Sequence, residues 1–166
     1  MWGFGTILSL VIIGFVGYIE YKKRKTLHSE CQRLSELLEL KDREAEESKV
    51  ARRNAMAQLR TSKAMTLIEE KLVIGDNLSE QDWDVIEETF KCLLPDFLIN
   101  LRSFHHYTEP EWRLCLLSKM ELKAEAIGTL ICLSQSAIYN KSRRLYKKIF
   151  GHECSQQEWD KFIKSL

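Results

Sequence analysis

Hydrophobic and polar positions follow three successive patterns along the chain. Met1 to Ile19 carries no charged position, and its only aliphatic hydroxyls are Thr6 and Ser9. Such a run meets the roughly 20-residue requirement for a membrane-crossing helix. Thr26 to Ile74 then has neither Pro nor Gly and is rich in Glu, Lys, Arg, Leu and Ala, a helical composition. Leu27, Cys31, Leu34, Leu38, Ala45, Ala55 and Leu59 approximate a heptad seam, interrupted at Lys41, Ser48 and Arg52. This predicts a long helix forming a weak coiled coil, and the 49 residues from Thr26 to Ile74 span roughly 70 Å at helical rise.

After Gly75 the pattern changes to short amphipathic segments, each opened by a capping residue. Ser79-Glu80-Gln81-Asp82 starts a helix whose apolar stripe is Trp83, Ile86, Phe90, Leu93 and Leu94, ended by Pro95. Asp96 to Phe104 makes another, burying Phe97, Leu98 and Leu101. Thr108-Glu109-Pro110-Glu111 is a capping box with Pro in the first turn, ahead of Trp112, Leu114, Cys115, Leu116 and Leu117. Lys123 to Ile131 buries Ile127, Leu130 and Ile131, and Cys132-Leu133-Ser134 is a tight connection. Ser134 caps a helix to Phe150 with Ile138, Leu145 and Ile149 inward and Ala137 and Tyr146 flanking. Ser155-Gln156-Gln157-Glu158 opens a last helix with Trp159, Phe162 and Ile163 on one side. The fold class is all-α, divided into an anchor (1–21), a helical stalk (22–75), linking helices (76–107) and a C-terminal unit (108–166).

Two short helices joined by about three residues form a helix-turn-helix. Its second helix has no acid from Ser134 to Phe150, and its outer face carries Ser136, Asn140, Lys141, Arg143, Arg144, Lys147 and Lys148. That chemistry suits a phosphate-lined groove. The run Thr108-Glu109-Pro110-Glu111, then Ile127 with Leu133-Ser134, then Ile138 and Leu145-Tyr146-Lys147-Lys148, resembles the C-terminal DNA-binding domain of LuxR/GerE-type transcriptional regulators. It is most similar to the membrane-anchored version found in Bacteroidota, in which a transmembrane helix and a helical stalk precede the domain. The resemblance is carried by Thr108 to Phe150 and extends loosely over the whole chain. Glu121 and Lys123 depart from it, standing where the family usually has a Gly and a capping residue. The resemblance implies a trihelical reader, with the last helix as a candidate dimerisation element.

Charge adds a topology. Lys22-Lys23-Arg24-Lys25 follows the apolar run directly, which predicts an N-out, C-in single span and a body in the cytoplasm, at the inner membrane. Trp2, Tyr18 and Tyr21 fall at its two ends, where interfacial aromatics are expected. From Asp76 to Glu111 there are nine acids and two basic residues, a local charge of about −7 inside a chain whose formal total is +1. That block is read as a solvated face, with docking onto the basic helix as its alternative. Five cysteines without a C-x-x-C pair read as reduced residues, and His105, His106, His152 and Cys154 lack recurrent ligand spacing.

No glycine-rich phosphate loop, Gly-x-Ser-x-Gly elbow or His-Glu-x-x-His pair occurs, so the chain reads as a non-enzyme needing no cofactor and no metal. The expected partner is double-stranded DNA, read in the major groove by the helix ending at Phe150. Ser136, Tyr139, Asn140 and Lys141 are the expected base contacts, because the N-terminal part of such a helix enters deepest, and Arg143, Arg144, Lys147 and Lys148 the phosphate contacts. Pairing as a homodimer is expected for a two-half-site operator, with a membrane sensor as a further partner. The alternative is a membrane-tethered scaffold whose helix-turn-helix docks another protein.

Overall fold

The computed structural model describes the backbone of residues 3–166 and the side chains of Tyr18 and of residues 21–166. All regular structure among them is helical: α1 (Gly3–Arg60), α2 (Lys63–Ile74), α3 (Glu80–Leu93), α4 (Pro95–Phe104), α5 (Glu109–Lys119), α6 (Ala124–Leu130), α7 (Gln135–Phe150) and α8 (Gln156–Ser165). The all-α expectation holds. The predicted anchor, residues 1–21, falls almost wholly outside the described side chains, and among the described residues no helix is long and apolar enough to cross a membrane.

The chain divides into two units, Met1–Val50 and Ala51–Leu166. In the first, Leu27, Leu34 and Leu38 are exposed along α1. In the second, the predicted unbroken helix to Ile74 is corrected. It stops at Arg60, and Ser62 caps α2 by accepting a bond from the Met65 N–H at 3.3 Å. The break is tertiary in origin. Leu59, Ala64 and Ile68 are all buried, and α2 packs on α3 and α6, so residues assigned to the stalk belong to the core. Leu59, and Ala55 beside it, thus pack on this core and not along a heptad seam.

At the centre lies α5, apolar through Leu114, Cys115, Leu116 and Leu117, each fully buried, with α6, α7 and α8 against it. A helix apolar on nearly all sides is an interior helix. The predicted stripes of α3, α4 and α8 are mostly buried as expected, Leu93 and Phe162 being half-buried. Thr108 and Ser155 form the reciprocal boxes their spacing predicts, and the predicted cap Ser79 forms one as well, with Asp82.

Polar contacts fasten the end of α1 to the far end of the chain. Arg52 donates to the Ser165 carbonyl at 3.0 Å. Lys119, only 3% exposed, donates to the carbonyls of Ile163 and Lys164 at 3.1 and 3.4 Å. Both cations thus meet the open carbonyls at the C-terminus of α8, where positive charge is favoured. Burial, aided by the nearby Arg52, brings the Lys119 ammonium down to about 8. The Glu121 carboxylate joins Arg60 at 2.5 Å to Lys164 at 3.2 Å.

Candidate nucleic-acid interface

The turn before α7 is set by a close approach. The Leu133 N–H donates to the Gly128 carbonyl at 2.8 Å, and a Cβ on Gly128 would stand 2.4 Å from the Leu133 carbonyl oxygen. Glycine at 128 is therefore a steric requirement of this turn. Cys132 completes it in the left-handed region at φ 55. The other non-glycine residue there, among those described, is Glu121 at φ 62, in the bend between α5 and α6. Its side chain is held by Arg60 and Lys164. Lys123 precedes α6 without a side-chain cap bond.

Ser134 caps α7 by accepting from the Ala137 N–H, and Gly151 at φ 80 ends it with a 2.8 Å bond to the Lys147 carbonyl. Ile138, Ser142 and Leu145 are buried, whereas Ile149 is half-buried. Ser142 is the unforeseen member of that stripe, and its hydroxyl is satisfied by the Ile138 carbonyl at 3.1 Å. A small residue whose polar atom bonds one turn back can enter a core without an orphaned group.

With that stripe inward, 100° per residue turns Ser136, Asn140, Arg143, Arg144 and Lys147 outward, and all five are exposed. Tyr139 lies on one flank, its hydroxyl accepting from Gln135 at 3.0 Å. Lys141 lies on the other, half-buried, lining a half-open groove of about 360 Å³ with Leu78, Trp83, Arg113 and Leu133. Eight candidate residues thus share one helix, but only five form its outward face.

The cations also have partners that inspection of α7 alone misses. Arg143 pairs with Glu153, and Lys147 lies 3.4 Å from the same carboxylate. Lys148 pairs with Glu111 at 2.5 Å. Arg144 and Lys141 have no carboxylate partner among the described residues. The Glu111 bridge is the built one. One oxygen accepts from the Thr108 N–H and hydroxyl, both at 2.9 Å, while the other takes Lys148. Burial pushes the Glu111 carboxyl up, but the Lys148 and Thr108 donors prevail and hold it at about 2. Lys148 is therefore a tie between α5 and α7, with its charge already neutralised in the free protein. The signal was present in the sequence: Glu111 closes a capping box, and such a carboxylate has a second oxygen to place.

Among the described residues, Glu111 is the one member of the acidic linking block that forms an ion pair with α7. Asp76 and Asp82 neutralise Lys71, while Glu80 and Glu109 hold Arg113, which also stacks on Trp83 at 4.8 Å. The remaining sign asymmetry leaves the outward face of α7 basic. Compared with protein-family models, curated proteins and solved structures, the chain finds no match in any of the three.

Proposed function

We propose that this chain is a membrane-anchored DNA-binding transcriptional regulator that presents α7 to the major groove, in the manner of the LuxR/GerE-type domains it resembles. The observation that carries this reading is the outward face itself. Ser136, Asn140, Arg143, Arg144 and Lys147 are free of the body's apolar packing, on a helix whose opposite side is locked by Ile138, Ser142 and Leu145. Polar and basic side chains on a rigid helix, behind a tight turn, are what base edges and phosphates require. Asn140 is suited to adenine and Lys141 to guanine, with Ser136 and Tyr139 beside them. Arg143, Arg144 and Lys147 hold the backbone. Residues 1–21 supply the anchor, N-out and C-in, and the exposed leucines of α1 supply a seam for homodimerisation.

A second reading, a tethered scaffold that docks another protein, draws on one observation: three of the four expected phosphate contacts already carry carboxylate partners. Selection from a random-duplex library by the full chain in detergent, at two salt concentrations, separates the two. The regulator enriches a repeated half-site, and its affinity falls steeply with salt. Replacing Arg143 and Arg144 together by Ala should weaken binding roughly tenfold to a hundredfold at every site. Asn140→Ala should cost about 1 to 3 kcal/mol and relax preference at one base position. A salt-sensitive background without enrichment, beside a stable protein complex, moves the assignment to the scaffold.

A further inference from the structure

The last turns of α7 hold an anion of the protein's own. Arg143 and Lys147 stand four residues apart on one face, and each addresses a different oxygen of Glu153, Arg143 donating to Oε2 and Lys147 reaching Oε1 at 3.4 Å. A carboxylate bridging two cations with one oxygen apiece reproduces the charge and paired oxygens of a phosphodiester group.

Glu153 is delivered there by a short loop fixed at both ends. Gly151 turns the chain in the left-handed region as the cap of α7, Cys154 is buried at 6% exposure, and Ser155 caps α8. The carboxylate itself is not fixed. The side chains of Arg143, Lys147 and Glu153 are 50%, 57% and 53% exposed, and pairs this exposed exchange readily with other ions. The bridge to Glu111 differs, since that carboxylate is 10% exposed and also closes a capping box.

We propose that Glu153 is an internal stand-in for a DNA phosphate, a positioning residue that occupies the place between Arg143 and Lys147 which a backbone phosphate takes in the complex. The proposal rests on the DNA-binding reading above. In the free protein the carboxylate gathers the two long side chains at one point. On binding it is displaced, so the affinity of the site is set by phosphate in competition with Glu153. An ordinary surface ion pair would have no such coupling.

The test uses the full chain in detergent and a 20-base-pair duplex of random sequence. Glu153→Gln should bind roughly three- to tenfold tighter than the parent with a steeper salt dependence, because the competing charge is gone. Asp84→Asn on α3 changes net charge equally and should move affinity much less. In the parent, carbon-13 detection of the Glu153 carboxyl should show a group that Arg143, and then Lys147, hold below the ordinary carboxylate range. It should return toward the ordinary range when duplex is added. Glu153→Gln binding no tighter than Asp84→Asn, or a carboxyl unmoved by duplex, overturns the proposal while leaving DNA binding intact. Absence of duplex binding by the parent and by Glu153→Gln alike removes the DNA reading itself.

Discussion

Glu111→Gln should lower stability at pH 7 by about 3 kcal/mol, the free energy equivalent of a carboxyl held near 2 when folded against 4.5 when unfolded. The amide can still accept from Thr108, but it cannot balance Lys148. The dependence on pH follows from the depressed folded value. A carboxylate preferred in the native state stabilises fully above about 4.5, and this contribution is lost as pH falls from there through about 2. Urea denaturation from pH 7 down to pH 2.5 should show parent and variant well separated at neutrality and converging in acid. Two curves that stay parallel would mean that the bridge between α5 and α7 contributes nothing ionic.

Gly128→Ala should cost about 2 kcal/mol, although alanine is the better helix former by about 1. The added methyl meets the Leu133 carbonyl oxygen at 2.4 Å, a backbone atom held by its own bonded turn rather than the tip of a movable side chain. Relief requires α6 and α7 to separate, which would also open the core at Ile127, Leu130 and Ile138. Calorimetry of the variant should therefore show a clear drop in melting temperature. If α7 reads DNA as proposed, duplex affinity should fall as well, because the outward face of α7 loses its fixed bearing. A variant as stable as the parent would show the turn to be elastic.

Local capping chemistry made most of the C-terminal helices legible in the sequence. Ser79, Thr108, Ser134 and Ser155 each begin a helix where their side chains can reach forward, and the apolar stripes behind them were buried nearly as read. The break at Thr61 and Ser62 carries a cap of the same kind, since Ser62 accepts from the Met65 N–H, but nothing beside it marks a helix end. It lies among helix formers without Gly or Pro, and the burial of Leu59, Ala64 and Ile68 against distant helices produces it. For the same reason the basic face was half legible. Its cations are apparent from α7 alone, but Glu111 is 37 residues away from Lys148, and only the packing of α5 on α7 brings them together. Ser142 was hidden because a serine within a basic run reads as surface until its neighbours Ile138 and Leu145 fix which side faces inward.

The fastening of α8 by Arg52 and Lys119 bears on how such a unit can be inherited or borrowed. A cassette cut at Thr108 would carry every residue of α7, yet it would leave behind Arg52, Leu59, Ile68 and Trp83. The C-terminal carbonyls would lose one of their two donors, and an apolar flank would be laid open to water. The portable piece therefore begins no later than Ala51, within the last turns of α1. A graft made there carries along the last turns of α1 as part of the core they close.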